Sequence, residues 1–421
     1  MVFYNCENCG KQFGQKGHYT KHKNKKLPCT KEIKDELLTN HHFGQYFTTN
    51  TDLKEKVFEF ILNNPSNILE PCIGQGDLIT FITDKIPNIT FDMYEINTNI
   101  VLLDNIQKDN VIYGDFINQI ITKKYKTIVG NPPYVRTKKG NLYIDFTEKC
   151  YHLLDDNGEL IFIVPSDFFK LTSASTLLNT MMTNGTFTHI FHPHNEKLFE
   201  NASIDIIVFR YCKNILIEKK VLYNDKLLYI TNKNGLITFG EEENNNSIIF
   251  EDYFNIYVGL VSGKEEVYKN EELGNIEVLN GENQLDKYIY IENYPCENEK
   301  INAHLLNYKK ELMERGIRKM NENNWFEWGA PRNIKAIKEN LGKDCIYIYN
   351  LTRKQNVAFL GKVHYFGGGL IMLKPKKNCN LTNIVSYLNT DIFKDNFMFS
   401  KRFKIGHRSL SNSFIPNNHI T

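Results

Sequence analysis

The tetrapeptide Asn131-Pro132-Pro133-Tyr134 follows a short apolar run at 126–130. Two consecutive prolines let neither strand nor helix continue, so the pattern predicts a buried strand that opens straight into a loop. The residues of that loop would suit methyl transfer to an exocyclic amine of a nucleobase. Such an amine is a poor nucleophile because its lone pair is delocalised into the ring. The Asn131 side-chain oxygen and the rigidly presented Pro132 carbonyl can both accept from the NH2 group and hold its lone pair toward an incoming methyl. Tyr134 offers a flat face on which a base drawn out of its stack can rest. Taken alone, the tetrapeptide reads equally well as a Pro-Pro surface turn, and its neighbours decide the matter.

The elements that would position this loop lie on both sides of it. Residues 66–70 predict a buried strand, followed by the glycine loop Pro71-Cys72-Ile73-Gly74-Gln75-Gly76 and a helix capped by Asp77 that runs to about residue 85. That order suits a nucleotide-type cofactor, because glycines let the backbone come close to the ligand. The next predicted strand, 90–94, ends in Glu95, where a carboxylate can accept from both hydroxyls of a ribose. A third strand at 110–113 leads into Gly114-Asp115-Phe116. Four strand ends in succession thus carry the informative residues, the signature of a doubly wound α/β sheet that uses its carboxyl edge as the site. Helices at about 142–154 and 171–183, with strands at 158–165, 187–192 and 204–211, extend the pattern to an antiparallel finish.

In motif order, residues 43 to about 211 resemble the gamma-order N6-adenine DNA methyltransferases of restriction-modification systems. Asn131 to Tyr134 matches that family's catalytic loop in all four residues, and Glu70 to Gly76 resembles its principal cofactor loop. Phe43-Gly44-Gln45-Tyr46-Phe47-Thr48 resembles the opening motif that meets the methionine end of S-adenosylmethionine, which implies Thr48 as the carboxylate contact. By the same resemblance Glu70, Gly74 and Gly76 would hold the cofactor, Glu95 its ribose and Asp115 its adenine amine, with Phe116 against the adenine ring. Phe199, just before the last strand, stands where the family forms the second wall of a flipped-base pocket, with Phe187 and Phe191 as competing candidates. The resemblance implies a Rossmann-like S-adenosylmethionine-dependent methyltransferase sheet, duplex DNA as the partner, and any restriction endonuclease as a separate chain. Cytosine N4, an RNA base or a protein amide as acceptor stay open, as does a non-catalytic DNA-binding protein that keeps the fold.

Ahead of this region, Cys6, Cys9, Phe13, Tyr19, His22 and Cys29 follow the pattern of a small ββα zinc finger, with Phe13 and Tyr19 at its two core positions. The predicted ligands of a structural zinc are therefore Cys6, Cys9, His22 and Cys29. Six residues separate His22 from Cys29, slightly more than the usual three to five or so, and His18 competes as a ligand. The lysines that crowd this segment suit phosphate contact.

A chain of 421 residues calls for two or more domains. The cysteine-histidine pattern and the resemblance together imply a zinc finger at 1–31, a linker at 32–42, a catalytic domain at 43–215 and a mixed α+β target-recognition domain at 216–421, with the composition shift at 213–220 marking the last boundary. With a net charge of only +2, nucleic-acid affinity must come from local patches. Arg315, Arg318, Lys319, Arg332, Arg353 and the basic run 401–408 mark the last third as the region of sequence readout. Nine cysteines, an odd count, point to a reducing compartment, and no stretch is apolar for long enough to span a bilayer, so a soluble intracellular protein without a membrane partner is expected.

Overall fold

A computed structural model describes residues 3–7, 12–23, 46–137, 140–199, 202–215, 219–241, 243 and 247–420. The chain divides into two compact units, Met1–Leu227 and Leu228–Thr421. No helix among the described residues is long and apolar enough to cross a membrane.

The first unit begins with an antiparallel pair, β1 (Tyr4–Asn5) and β2 (Gln12–Phe13), followed by α1 (Lys16–Lys23). The Phe13 ring packs against Tyr19 at 6.1 Å and His22 at 4.8 Å, and Cys6 is buried. Cys9, Cys29 and the expected linker 32–42 lie outside the described residues, and among the described residues no three metal-ligating side chains cluster.

Helix α2 (Thr51–Glu59) starts where the Asn50 side chain accepts from the Leu53 amide at 3.1 Å, and it buries Leu53 and Val57. Then come β3 (Asn67–Glu70), α3 (Asp77–Lys85), β4 (Thr90–Glu95), β5 (Val111–Tyr113), β6 (Tyr125–Gly130), α4 (Leu142–Leu153), β7 (Leu154–Pro165), α5 (Ser175–Thr183), β8 (Gly185–Phe191), β9 (Ile206–Lys213) and β10 (Lys220–Tyr223). Within this unit the strands lie in the order β10-β8-β9-β7-β6-β3-β4-β5. The run β5-β4-β3-β6-β7 is parallel, while β9 is antiparallel to both β7 and β8. Leu160 to Val164 on β7 are fully buried, as a strand covered on both faces requires. The order reverses between β3 and β6, so their carboxyl ends flank a topological switch point.

Three expectations shift. The boundary foreseen after residue 215 falls after Leu227, because β10 pairs in parallel with β8 and prolongs the first unit's sheet. Strand β7 begins at Leu154, which pairs with Tyr125, and a register irregularity carries the chain past the polar residues 155–158 before Glu159 pairs with Thr127. The helix expected from 171 opens as a 3-10 turn, Thr172–Ala174, and becomes α-helical at Ser175.

Glu159 on β7 is fully buried yet well partnered. It accepts from the Leu62 and Asn63 amides, both at 3.1 Å, and from the Thr127 hydroxyl and Arg210 Nε, both at 2.8 Å. This one carboxylate ties the turn after α2 to β6 and β9.

The second unit is built on a four-stranded antiparallel sheet in the order Phe254–Val258, Leu370–Pro375, Asp344–Tyr349, Ala358–Lys362. Its two faces feed two cores by strand alternation: Cys345, Tyr347 and Tyr349 enter one, Ile346 and Ile348 the other. Trp325, Phe326 and Trp328, which look strand-like in sequence, sit buried in a turn of the first of these cores. Arg315 is also buried: its guanidinium donates to the carbonyls of Leu312, Ser262, Trp325 and Glu327 at 2.7–2.8 Å. It braces this turn and does not belong to the readout surface expected of it. Arg332, Arg353, Lys401 and Lys404 are exposed.

Candidate active site

The carboxyl ends of β3, β4, β5 and β6 open onto one cavity of about 150 Å³. Its walls include Thr48, Glu70, Gly74, Glu95, Asp115, Phe116 and Asn131, residues scattered over more than eighty positions of the chain. Gly76 does not line the cavity. It holds φ at +95° at the start of α3, and a Cβ there would meet Ile106 at 2.7 Å, so its absent side chain serves the turn. Gly130, the last residue of β6, lets Glu70 in: a Cβ there would come within 2.9 Å of Glu70 Oε1.

Both oxygens of Glu95 are engaged by the loops they hold. Oε2 accepts from the Gly74 amide at 2.9 Å and Oε1 from the Asn97 amide at 2.8 Å. Asp115 is used in the same way: its oxygens accept from the Ile117 amide at 3.0 Å and the Asn118 side chain at 2.6 Å, which fixes the 3-10 turn Phe116–Asn118. Lys149 completes that turn by donating to the carbonyls of Phe116, Ile117 and Gln119 while its ammonium sits 4.6 Å over the Phe116 ring. Phe116 stacks on Phe146 at 5.4 Å, giving the cavity an aromatic wall on one side.

Glu70 also lines the cavity, and burial pushes its pKa up to about 8, with the charge of Glu95 adding to the effect. The Cys72 amide donates to it at 3.3 Å, too little to offset the desolvation.

At the end of β6 the Asn131 carboxamide is held at both ends. Its nitrogen donates to the Tyr46 carbonyl at 2.6 Å and to the Thr48 hydroxyl at 3.1 Å, and its oxygen accepts from the Tyr134 hydroxyl at 2.6 Å. Pro132 is buried, and Pro133 and Val135 line the cavity beyond it. Tyr134 meets Phe199 edge to face at 6.2 Å, and Tyr46 contacts both rings. Of the competing phenylalanines, Phe187 is a core residue packed on Phe169, Phe209 and Tyr211, away from Asn131. Phe191 lies in the same apolar cluster as Phe199 with Lys56 over its ring.

The sequence reading gave no role to Tyr46, Phe146 or Lys149. Phe146 and Lys149 lie one helical turn apart on α4, a spacing that marks a shared face but names no ligand. The second metal pair, Cys9 and Cys29, cannot be joined to Cys6 and His22 within the described residues.

A parallel sheet whose successive carboxyl ends bring a glycine loop, an acidic residue, an acidic-aromatic pair and an Asn-Pro-Pro-Tyr turn to one cavity defines a doubly wound α/β protein. More particularly, residues 16–199 match the family described as Eco57I restriction-modification methylase. The chain is 32% identical over 194 residues to the Type II methyltransferase M.HincII of Haemophilus influenzae, covering 40% of this chain and 37% of that protein. It is 31% identical over 137 residues to the Type II methyltransferase M.CvrRI of Paramecium bursaria Chlorella virus XZ-6E, covering 29% of this chain and 36% of that one. The aligned segments thus span little more than a third of these curated relatives. Among solved structures, the Type IIL restriction-modification enzyme MmeI in complex with DNA superposes with a TM-score of 0.56 at 11% identity, covering 90% of this chain and 67% of that one. At that identity the likeness concerns the fold.

Proposed function

We propose that this chain transfers a methyl group from S-adenosylmethionine to N6 of an adenine rotated out of duplex DNA at a specific site. The reading rests on the Asn131 carboxamide. Its nitrogen is committed to Tyr46 and Thr48, so its oxygen is the group left to meet a substrate amine beside the Tyr134 ring. Bound S-adenosylmethionine supplies an electrophilic methyl carried on a sulfonium, which is a good leaving group. The chain's own task is to hold the acceptor. Asn131 Oδ1, which keeps one lone pair beyond its bond to Tyr134, and the Pro132 carbonyl accept the two amine hydrogens. Tyr134 and Phe199 hold the ring, and positioning supplies much of the rate.

The cavity suits the cofactor by its chemistry. Four carboxylates, Glu70, Asp77, Glu95 and Asp115, line it together with the aromatic Phe116 and Phe146, a donor set for a cationic, ribose-bearing, aromatic ligand. In this reading Thr48 meets the carboxylate of the methionine end, Glu70 answers the positive charge, and Gly74 lets the backbone approach, while Gly76 serves the turn behind it. Glu95 takes the ribose, and Asp115 with Phe116 takes the adenine. The second unit reads the DNA sequence. Cys6, Cys9, His22 and Cys29 hold a structural zinc, for which the buried Cys6 and the packing of His22 on Phe13 supply a fitting start.

Single-turnover transfer of labelled methyl to unmethylated duplex DNA, followed by nucleoside analysis, tests the reading. Label should appear as N6-methyladenine, and Asn131→Ala should abolish it while cofactor binding persists. Label in N4-methylcytosine, in RNA or in protein would overturn the acceptor assigned. Elemental analysis should find one zinc per chain, lost in Cys6→Ser.

A further inference from the structure

Three aromatic rings meet beside Asn131. Tyr46 lies on Tyr134 in a stack with centroids 5.4 Å apart and planes 28° apart, and its ring is 5.7 Å from Phe199. Tyr134 and Phe199 themselves are 6.2 Å apart and crossed at 72°. A base sandwiched between two walls needs them nearly parallel and about 7 Å apart, two ring-to-ring contact distances. Tyr134 and Phe199 do not form such a sandwich, so a base would lie on a face of Tyr134 with Phe199 beside it, and Tyr46 already covers a face of Tyr134.

The anchoring of Tyr46 is uneven along the residue. Its backbone carbonyl accepts from Asn131 Nδ2 at 2.6 Å, which ties the main chain to the amide proposed for catalysis. Its side chain is only partly buried, and among the described residues no hydrogen bond holds its hydroxyl. Rotation about χ1 would lift the ring from Tyr134 without moving the carbonyl that orients Asn131. What holds the ring in place is stacking, and stacking is what a purine offers in exchange.

From this we infer that the Tyr46 ring is a stand-in for the target base, filling the base's place on Tyr134 in the DNA-free chain and yielding it when a base arrives. The inference rests on the reading of Tyr134 and Phe199 as a base site. It makes Tyr46 a specificity-determining residue: an extrahelical base is accepted only if its stacking on Tyr134, together with its amine on Asn131, outcompetes a tyrosine already there. A base that stacks but presents no amine to Asn131 meets the same competitor with less to offer.

The test uses the full chain loaded with S-adenosylhomocysteine and two duplexes that differ only in one bulged adenine. The ratio of their dissociation constants isolates the base site from phosphate contacts. The wild-type chain should prefer the bulged duplex. Tyr46→Ala should enlarge that preference about three- to tenfold, the worth of one aromatic stack no longer to be displaced. Tyr46→Phe, which keeps the ring, should match wild type. Binding of S-adenosylhomocysteine by each variant controls for folding. A preference that falls or stays unchanged in Tyr46→Ala overturns the inference, since a fixed third wall loses affinity when removed and a bystander changes nothing. Tyr46→Trp adds an independent readout: its emission should shift when the bulged duplex is added and not with the paired one, and constant emission counts against the displacement. A wild-type chain that binds both duplexes equally would instead overturn the base site itself, and the inference with it.

Discussion

The Tyr134 hydroxyl donates to Asn131 Oδ1 at 2.6 Å, and it also reaches the Ile163 carbonyl on β7 at 3.1 Å. The amide proposed to hold the substrate amine is thereby referenced to a fully buried strand of the sheet. A loop with two prolines is stiff by itself, and this bond fixes where its first side chain points.

Tyr134→Phe should separate the hydroxyl from the ring. Loss of a neutral hydrogen bond is worth about 1 kcal/mol, so methyl transfer should slow roughly five- to tenfold while cofactor affinity holds. Tyr134→Ala, which also removes the stacking face, should cost distinctly more. Single-turnover rates with cofactor in excess measure both, and a wild-type rate in Tyr134→Phe would remove the hydroxyl from the account.

Glu70 should leave a pH signature on the cofactor-free chain. Its pKa rises from 4.5 to about 8 on folding, so the folded state binds its proton more tightly than the unfolded state does. Its contribution to stability is complete below about pH 4.5 and is lost as pH climbs through about 8, a change on the order of 4–5 kcal/mol. Glu70→Gln should flatten that part of the melting-temperature profile between pH 5 and 9. Saturating S-adenosylmethionine should flatten it in the wild type as well, because the cation favours the ionised carboxylate. Identical slopes in wild type and Glu70→Gln would show that other groups set the profile.

Glu159 and Arg210 form a buried pair whose breaking leaves a charge without its partner. Glu159→Ala should cost about 3–5 kcal/mol of unfolding free energy in the first unit, read by denaturant titration. Arg210→Met should cost a similar amount, and the double variant should cost less than the two single losses combined. Strict additivity would contradict the coupling.

Lys149→Met should weaken S-adenosylmethionine binding about tenfold through the turn that carries Asp115 and Phe116, with little effect on the rate of the bound complex. Calorimetry set against single-turnover kinetics distinguishes this from a catalytic role, in which the rate would fall instead.

In the second unit the arginines divide by burial. Arg315→Ala should destabilise that unit, since four carbonyls lose their donor at once. Arg353→Ala and Lys404→Ala, at exposed positions, should leave melting unchanged and each reduce the salt slope of DNA binding by about one. A melting loss at Arg353 or Lys404 with an intact salt slope would exclude them from phosphate contact.

The sheet was legible because its signals are local. An apolar run, a glycine loop and an amphipathic stretch declare a strand-turn-helix unit, and α3 runs over Asp77–Lys85, with Gly76 instead of the expected Asp77 at its N-cap and no side-chain cap bond. The gathering of Glu70, Glu95, Asp115, Phe116 and Asn131 followed from strand ends that share an edge, whereas Thr48, on no strand, is singled out by the family resemblance alone. Other features rest on tertiary contact and carry no local mark. Arg315 is as basic in sequence as Arg353, and only the fold of the turn at 325–328 buries one and exposes the other. Tyr46 sits inside a motif whose chemistry points to Thr48, so its own ring drew no attention until Tyr134 was found beneath it. The unit boundary moved because a four-residue strand at 220–223 is too short to announce its parallel partner.

The two amide bonds that Glu95 accepts from Gly74 and Asn97 bear on how such a site can change over generations. A substitution at Glu95 that suited a different nucleotide would at the same stroke release both loops that shape the cavity. Ligand preference and loop geometry are therefore inherited as one trait. New specificities in a lineage of this kind should arise where the scaffold is not wired to the ligand site, in the parts of the chain that meet the acceptor rather than the donor.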